Sequence, residues 1–333
     1  MQPTRRQVIG GAAGLAAGAA GCVDGIGGTS EGEREDVAYT AFFTLEQFAD
    51  AVAGDALDVE NPIPVGELGH HYEVSTQAQL EVARSRAFVY VDLPGFQRWA
   101  VDTANNLGEN HEEVVLVDAT EGVDLRDASH GSGDEGGGHE ENGSHDGGDG
   151  GHDHGDFDPH FWLDPVRAAA CVETIRNGLV EADQKRAEAY ESNAERYLDE
   201  LSALHERFTT QLQERELDTV VVASHDSFGY LADRYDFEVH SPVGVSPNAE
   251  PGSTEIRDTI DVVDENEVDV VLYDAFESEN LAKTVVADSS AEKTMPLSSL
   301  AGTTDEWHEN DWGYVEQMLE LNLPALKAAL KVR

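Results

Sequence analysis

Three histidines, far apart in the chain, stand where side chains can do chemistry. His70 lies in Gly69-His70-His71-Tyr72-Glu73, and His160 lies in Asp158-Pro159-His160-Phe161-Trp162-Leu163-Asp164-Pro165. His225 closes the apolar run Thr219-Val220-Val221-Val222-Ala223-Ser224. Each is read at a junction of strand and helix, and parallel sheets gather their ligands at the carboxyl ends of strands. Three neutral imidazoles suit zinc, at about 2.0 to 2.1 Å per bond. Affinity for the metal should then fall below the reference histidine pKa of about 6.5. The other histidines make weaker candidates. His205 is inside a long helix, His111 and His308 stand among acids and read as surface, His240 is open, and His71 reads as a neighbour of a ligand.

Just before His160 runs an insertion, residues 127–156, almost without apolar side chains. It scatters His130, His139, His145, His152 and His154 among Gly, Asp, Glu, Ser and Asn. Such a composition predicts disorder, and a His-rich tract of this kind reads as auxiliary metal binding. A floppy histidine reservoir beside a histidine fixed by prolines and aromatics suggests capture followed by firm binding.

The elements that must position these residues alternate. Val37 to Phe48 reads as a strand feeding a helix, and a short strand stops at Pro62. A helix from Gln77 to Ser85 follows a Ser75 or Thr76 cap. Ala87 to Asp92 is a strand, Trp99 to Gly108 a helix and Val114 to Asp118 a strand. Asp164-Pro165 supplies a cap and a first-turn proline for a helix running to about Glu181. Apolar residues at Tyr190, Tyr197, Leu201, Leu204, Phe208 and Leu212 predict a long amphipathic helix, residues 183–216, of the length that braces two lobes. Then come the strand ending at His225, a helix Phe228 to Tyr235, a helix Ile256 to Glu265, a strand Val268 to Tyr273 ending at Asp274, a helix Asn280 to Asp288, and one closing helix from Asp311 to about Val332. The fold class is α/β: two lobes with parallel sheets, residues 37–182 and 217–333, with the long helix between them.

The charge is extreme: 67 acidic against 21 basic residues give a net −46 over 333 residues. Self-repulsion on that scale asks for strong screening, so a salt-adapted, halophilic protein is expected. Nucleic acid is excluded as a partner, because binding it draws on clustered Lys and Arg. At the N-terminus, Thr4-Arg5-Arg6-Gln7-Val8-Ile9 precedes an Ala/Gly-rich run ending in Ala19-Ala20-Gly21-Cys22. The run is too short and too weakly apolar to span a membrane and reads as a twin-arginine export signal, residues 1–22. Its ending resembles a lipobox, in which Cys22 would carry the lipid anchor on the outer face of the cell membrane. An ordinary cleaved signal with an incidental Cys22 is the alternative. Residues 23–36 read as a flexible tether. Cys171 reads as a small buried hydrophobe, and two cysteines build no disulfide framework.

Taken together, these segments resemble the zinc and manganese ABC-transporter solute-binding proteins, the cluster A-I metal-binding lipoproteins. The resemblance covers nearly the whole mature chain. It rests on Ala53-Gly54-Asp55 with Val59-Glu60-Asn61-Pro62-Ile63-Pro64-Val65-Gly66, on Gly69-His70-His71-Tyr72-Glu73, on Asp158 to Pro165, on Ser224-His225-Asp226-Ser227-Phe228-Gly229-Tyr230, and on Ser246-Pro247-Asn248-Ala249-Glu250-Pro251. Gly69 stands where the family pattern has proline. The resemblance implies metal held by His70, His160 and His225 in a cleft between lobes, and delivery to a permease driven by an ATPase. It implies a non-enzyme, read here as a monomer. Manganese members usually place a carboxylate where this chain has His225, which favours zinc. The family's fourth, acidic ligand falls near Pro296-Leu297-Ser298-Ser299-Leu300, where this chain has Ser298. Asp274, Asp226 or water must then fill that position.

Two rivals differ in class. Three ligands and a water also describe catalytic zinc, with Asp226 or Glu277 as general base, but no His-Glu-x-x-His pattern is present. A surface metal buffer or adhesin without a permease is the other.

Overall fold

The structure, a computed structural model, describes residues 35–69, 72–93, 95–128, 157–245 and 251–333. The described residues form one compact unit. Its first half alternates β1 (Val37–Thr40), α1 (Phe43–Ala53), β2 (Asp58–Glu60), α2 (Thr76–Val82), β3 (Ala87–Tyr90), α3 (Arg98–Asn110) and β4 (Val115–Asp118). The strands are all parallel, in the order β2-β1-β3-β4. A 3₁₀ turn (Phe161–Leu163) then leads into α4 (Pro165–Ala182) and α5 (Ala187–Gln211).

The second half repeats the plan with β5 (Thr219–Val222), α6 (Gly229–Tyr235), β6 (Glu238–His240), α7 (Ser253–Glu265), β7 (Val270–Asp274), α8 (Asn280–Asp288) and β8 (Lys293–Leu297). This sheet too is parallel, in the order β6-β5-β7-β8. It is followed by α9 (Asp305–Glu309), α10 (Tyr314–Gln317), a π-helical turn (Met318–Asn322) and α11 (Leu323–Ala329).

The expected alternation is therefore present, and its departures have physical causes. The long helix begins one short turn late, after the 3₁₀ residues Gln184–Arg186, and stops at Gln211. At 1.5 Å per residue it is about 38 Å long, and it packs on α1, α4 and α10. The closing helix is one unbroken run from Tyr314 to Ala329, shorter than the Asp311 to Val332 expected and carrying a π turn over Met318–Asn322. Pro324 falls in the first turn of α11, and a proline denies the preceding turn its normal hydrogen bond. The ladder absorbs that loss in the π turn.

Residues of β5 alternate between two cores, as period-two geometry demands. Val220 and Val222 join the main cluster, which runs continuously from β1 through α4 and α5 to α11, while Val221 and Ala223 join a smaller cluster with Val263, Val271 and Val285. The main cluster contains residues of both sheets, so the two halves are bound by shared apolar contact. Cys171 is free and fully buried in it, and burial pushes its thiol pKa well up.

Candidate metal centre

In a sheet ordered 6-5-7-8 the winding reverses between β5 and β7, and ligands collect beyond the carboxyl ends of the strands at such a point. His225 follows β5 there and Asp274 is the last residue of β7. The peptide N–H of Asp274 donates to Ser224 Oγ at 3.3 Å, tying the two strand ends together. His225 is also held by an isolated parallel bridge to Val243.

His160 comes to the same place from the other half. The stem of the insertion is pinned by the Asp127–Phe157 bridge and by the Asp158 N–H donating to the Arg126 carbonyl at 2.9 Å. Tyr230 of α6 accepts from the Arg126 N–H and donates to the Asp158 carbonyl, both at 2.7 Å. Asp158 Oδ1 then takes two hydrogen bonds from His160, from its backbone N–H at 3.0 Å and from ring Nδ1 at 2.8 Å. A carboxylate only accepts, so Nδ1 carries the proton and Nε2 is the lone-pair nitrogen of the neutral ring. Trp162 and Phe96 wall the ring, at centroid distances of 5.5 and 6.3 Å.

The structure thus brings His160 and His225 together, both buried, with ring centroids 5.4 Å apart. Two imidazoles bound through nitrogen to one tetrahedral zinc have centroids roughly 5 Å apart. His70 and His71 lie outside the described residues, as do Cys22 and all five histidines of the insertion. Among the described residues no group of three or more His, Cys, Asp or Glu is set to hold a metal. The residue just before His70 is described. Gly69 donates its N–H to the Ala301 carbonyl at 3.2 Å and accepts Gln97 Nε2 at 2.8 Å. A Cβ at Gly69 would meet Phe42 Cβ at 2.7 Å. Glycine rather than proline therefore fits this position, because proline has neither the donor nor the smallness.

Carboxylates surround the two rings. Asp158 Oδ2, Asp226 Oδ1 and Asp274 Oδ2 are buried with no hydrogen-bond donor among the described residues, although Arg126 Nη1 faces Asp158 Oδ2 at 3.5 Å. Burial is the main influence raising the Asp274 pKa, against the Ser299 hydroxyl, the Phe276 N–H and His225, which lower it. Asp226 is raised by burial and by Asp158, against Arg126 and His160. For His225, burial is the largest single influence and acts downward, but Glu277, Asp274 and Asp226 outweigh it and raise the pKa. Three buried carboxyl groups beside two imidazoles, with the raised pKa values of Asp226 and Asp274, mark a pocket in which a cation would stabilise the charged carboxylates.

Sequence reasoning did not foresee the partners of His225. Glu277 bonds its Nδ1, and Ser227 Oγ lies 2.7 Å from its Nε2. Ser298, where the family pattern places an acid, is fully buried and enmeshed: its hydroxyl meets Gln317 Oε1 at 2.7 Å, and Asn322 brackets its backbone at 2.8 and 2.9 Å. The loop after β8 is a junction for the whole centre. Its successive carbonyls accept from Asn322 (at Ser298), Trp162 (at Ser299), Thr44 (at Leu300) and Gly69 (at Ala301). The remaining histidines are elsewhere. His111 pairs with Glu113 at 3.4 Å, His205 approaches the Tyr235 hydroxyl at 3.3 Å, His240 contacts Thr259 Oγ1 at 3.0 Å, and His308 is exposed on α9.

Paired four-stranded parallel sheets, each wound 2-1-3-4, with His225 at a strand end of the second meeting the buried His160 that precedes the 3₁₀ turn, define an α/β protein of the two-sheet, ligand-capturing kind. The model of the family described as ZnuA, zinc-uptake complex component A, periplasmic, matches residues 38–329, and the chain belongs to that family. It is 32% identical over 288 residues to the zinc-binding lipoprotein AdcA of Streptococcus pneumoniae, covering 86% of this chain and 54% of AdcA. The chain thus spans about half the length of that relative. Against the high-affinity zinc uptake system protein ZnuA of Bacillus subtilis it is 29% identical over 304 residues, 91% of this chain and 90% of the other. Among solved structures, the Zn(II)-bound ZnuA-like domain of S. pneumoniae AdcA superposes with a TM-score of 0.70 at 27% identity, covering 88% of this chain and 98% of the domain.

Proposed function

We propose that this chain is an extracytoplasmic solute-binding protein, not an enzyme, that captures zinc and delivers it to an ABC-type importer made of a permease and its ATPase. The observation that carries this reading is the pair of buried imidazoles with centroids 5.4 Å apart among buried carboxylates. His70, His160 and His225 supply nitrogen, and Asp274 supplies the fourth ligand through Oδ2, which has no hydrogen-bond donor among the described residues. Asp226, whose Oδ1 is likewise without a donor, and water are the alternatives for that place. Imidazole at position 225 favours zinc over manganese, which prefers oxygen. Membership in the zinc-uptake family and the zinc-binding relatives support the same cargo. The insertion histidines His130, His139, His145, His152 and His154 serve as a weaker auxiliary store. The twin-arginine segment exports the chain, a lipid on Cys22 anchors it to the outer face of the membrane, and it works as a monomer. A net charge of −46 suits salt-rich surroundings.

Titration calorimetry with elemental analysis, in molar salt, tests the reading. One tight site per chain is expected, occupied by zinc in preference to manganese. His160→Ala should weaken that site by at least a hundredfold, and His139→Ala should leave it unchanged. Deleting residues 129–155 should remove only weaker sites. Equal losses from His160→Ala and His139→Ala would refute the assignment.

A further inference from the structure

Among the described residues, His225 meets a hydrogen-bond partner at each ring nitrogen, and these partners differ in kind. Glu277 Oε1 bonds Nδ1, and Ser227 Oγ lies 2.7 Å from Nε2. Glu277 is delivered by a tight turn off the end of β7: its N–H donates to the Asp274 carbonyl at 2.9 Å, and the Phe276 N–H donates to Asp274 Oδ1 at 2.9 Å. That turn sets the carboxylate over the ring while its side chain stays 30% exposed at the rim of the site. A carboxylate has no proton to give, so in the neutral ring Nδ1 is the donor and Nε2 the acceptor. Ser227 must then donate to Nε2.

We infer that Glu277 is the positioning residue that commits His225 to the tautomer presenting Nε2 to the metal, and that Ser227 caps this nitrogen until the metal displaces it. The inference rests on the reading of His225 as a zinc ligand. Asp158 does for His160 what Glu277 does for His225, from the other half of the molecule. The two carboxylates differ in reach, because Asp158 is buried and Glu277 is not. Outer partners of this sort orient a ligating imidazole, and losing one typically costs about 10- to 100-fold in metal affinity. The Ser227 hydroxyl acts the other way. It occupies the lone pair the metal needs, so loading costs its hydrogen bond.

Two isosteric or smaller substitutions in the full-length chain separate these roles, at pH 8 in molar salt with chelator-buffered zinc. Glu277→Gln should weaken zinc binding about 10- to 100-fold, less than His225→Ala does. Ser227→Ala should tighten it about fivefold, the worth of one ordinary hydrogen bond. Nitrogen-15 NMR of the metal-free protein gives a readout that a merely structural role would not move. His225 should show the Nδ1–H form alone in the unsubstituted chain and a mixture in Glu277→Gln, whose amide can donate as well as accept. Zinc affinity within twofold in Glu277→Gln, an unchanged tautomer in that variant, or weaker binding in Ser227→Ala would each overturn the proposal. A loss in Glu277→Gln equal to that in His225→Ala would make Glu277 a direct ligand and also overturn it. If no form of the chain binds zinc tightly, the transport reading fails, and the metal-free tautomer still decides what Glu277 does to His225.

Discussion

Arg234 of α6 grips Asp164, the cap of α4, with two parallel bonds, Nε to Oδ1 at 2.8 Å and Nη2 to Oδ2 at 2.7 Å. Asp164 is fully buried and also accepts Arg167 Nη1 at 2.6 Å and the Val166 N–H at 2.9 Å. The pair therefore ties the second sheet's first helix to the element that follows His160. Removing one partner of a buried pair leaves a carboxylate short of charge, and here Arg167 keeps part of the compensation. Arg234→Met should cost about 2 to 3 kcal/mol, seen as a lower urea midpoint at unchanged slope. A change below about 0.5 kcal/mol, the range of ordinary surface substitutions, would show that the grip contributes little.

Asp36 offers a pH test away from the metal centre. It pairs with Arg86 Nε at 2.6 Å and with Arg186 Nη2 at 2.5 Å, fastening the entry of β1 to the turns before β3 and α5. The Arg186 hydrogen bond above all, with Arg86 behind it, holds its pKa down from 3.8 to about 2. The folded value lies below the unfolded one, so the contribution is complete above pH 3.8 and is lost as the pH falls toward 2. Because the side chain is half exposed, about 0.5 to 1 kcal/mol is expected in low salt, and less in molar salt. Urea melts of Asp36→Asn and the unsubstituted chain should differ by that amount at pH 6 and converge toward pH 2.

Most of the architecture is legible in the sequence, and the omissions share a cause. Strands with buried β-branched runs, such as Val220-Val221-Val222 and Val270-Val271-Leu272, are plain. The two strands not foreseen, β6 and β8, are the edges of their sheet. β6 has three residues, and β8 carries Pro296, which argues against a strand except at an edge, where its missing N–H is not needed. Helix α9 has five residues and no apolar repeat. At the centre, Asp158 could be read beside His160 because only Pro159 lies between them. Glu277 lies 52 positions from His225 and meets it only through the winding of β5 and β7.

Gly69 tests how closely the elements pack beside the first histidine. A Cβ there would stand 2.7 Å from Phe42 Cβ and 3.2 Å from Gln97 Nε2, both buried. Neither can retreat cheaply: Phe42 packs on Trp162 at 4.8 Å, and Gln97 bonds the Ala41 carbonyl at 3.1 Å. Gly69→Ala should destabilise the chain by about 1 to 3 kcal/mol. It should also weaken zinc binding, since the forced shift falls next to His70. A variant as stable as the parent would show that the loop yields freely.

Restoring an acid at Ser298 looks like a way to complete the metal site, and the network around it says the opposite. The Ser298 hydroxyl gives its proton to Gln317 Oε1 at 2.7 Å and accepts the Leu300 N–H at 3.0 Å. A carboxylate in its place has no proton to offer, so two acceptors would face each other in a fully buried pocket. Gln317 cannot turn its amide round without giving up the bond from Nε2 to the Trp312 carbonyl at 3.3 Å. Asn322 holds the backbone on both sides of the new charge and has no spare donor, since Nδ2 already serves the Ser298 carbonyl and Met318 Sδ. Ser298→Asp should therefore lower stability by about 2 to 4 kcal/mol, the cost of an unsatisfied buried acceptor with charge. It should leave zinc affinity no tighter than in the parent, because the side chain is aimed at Gln317 at the end of α10. Tighter binding with an unchanged denaturation midpoint would mean that position 298 faces the metal and that Asp274 is not the oxygen donor.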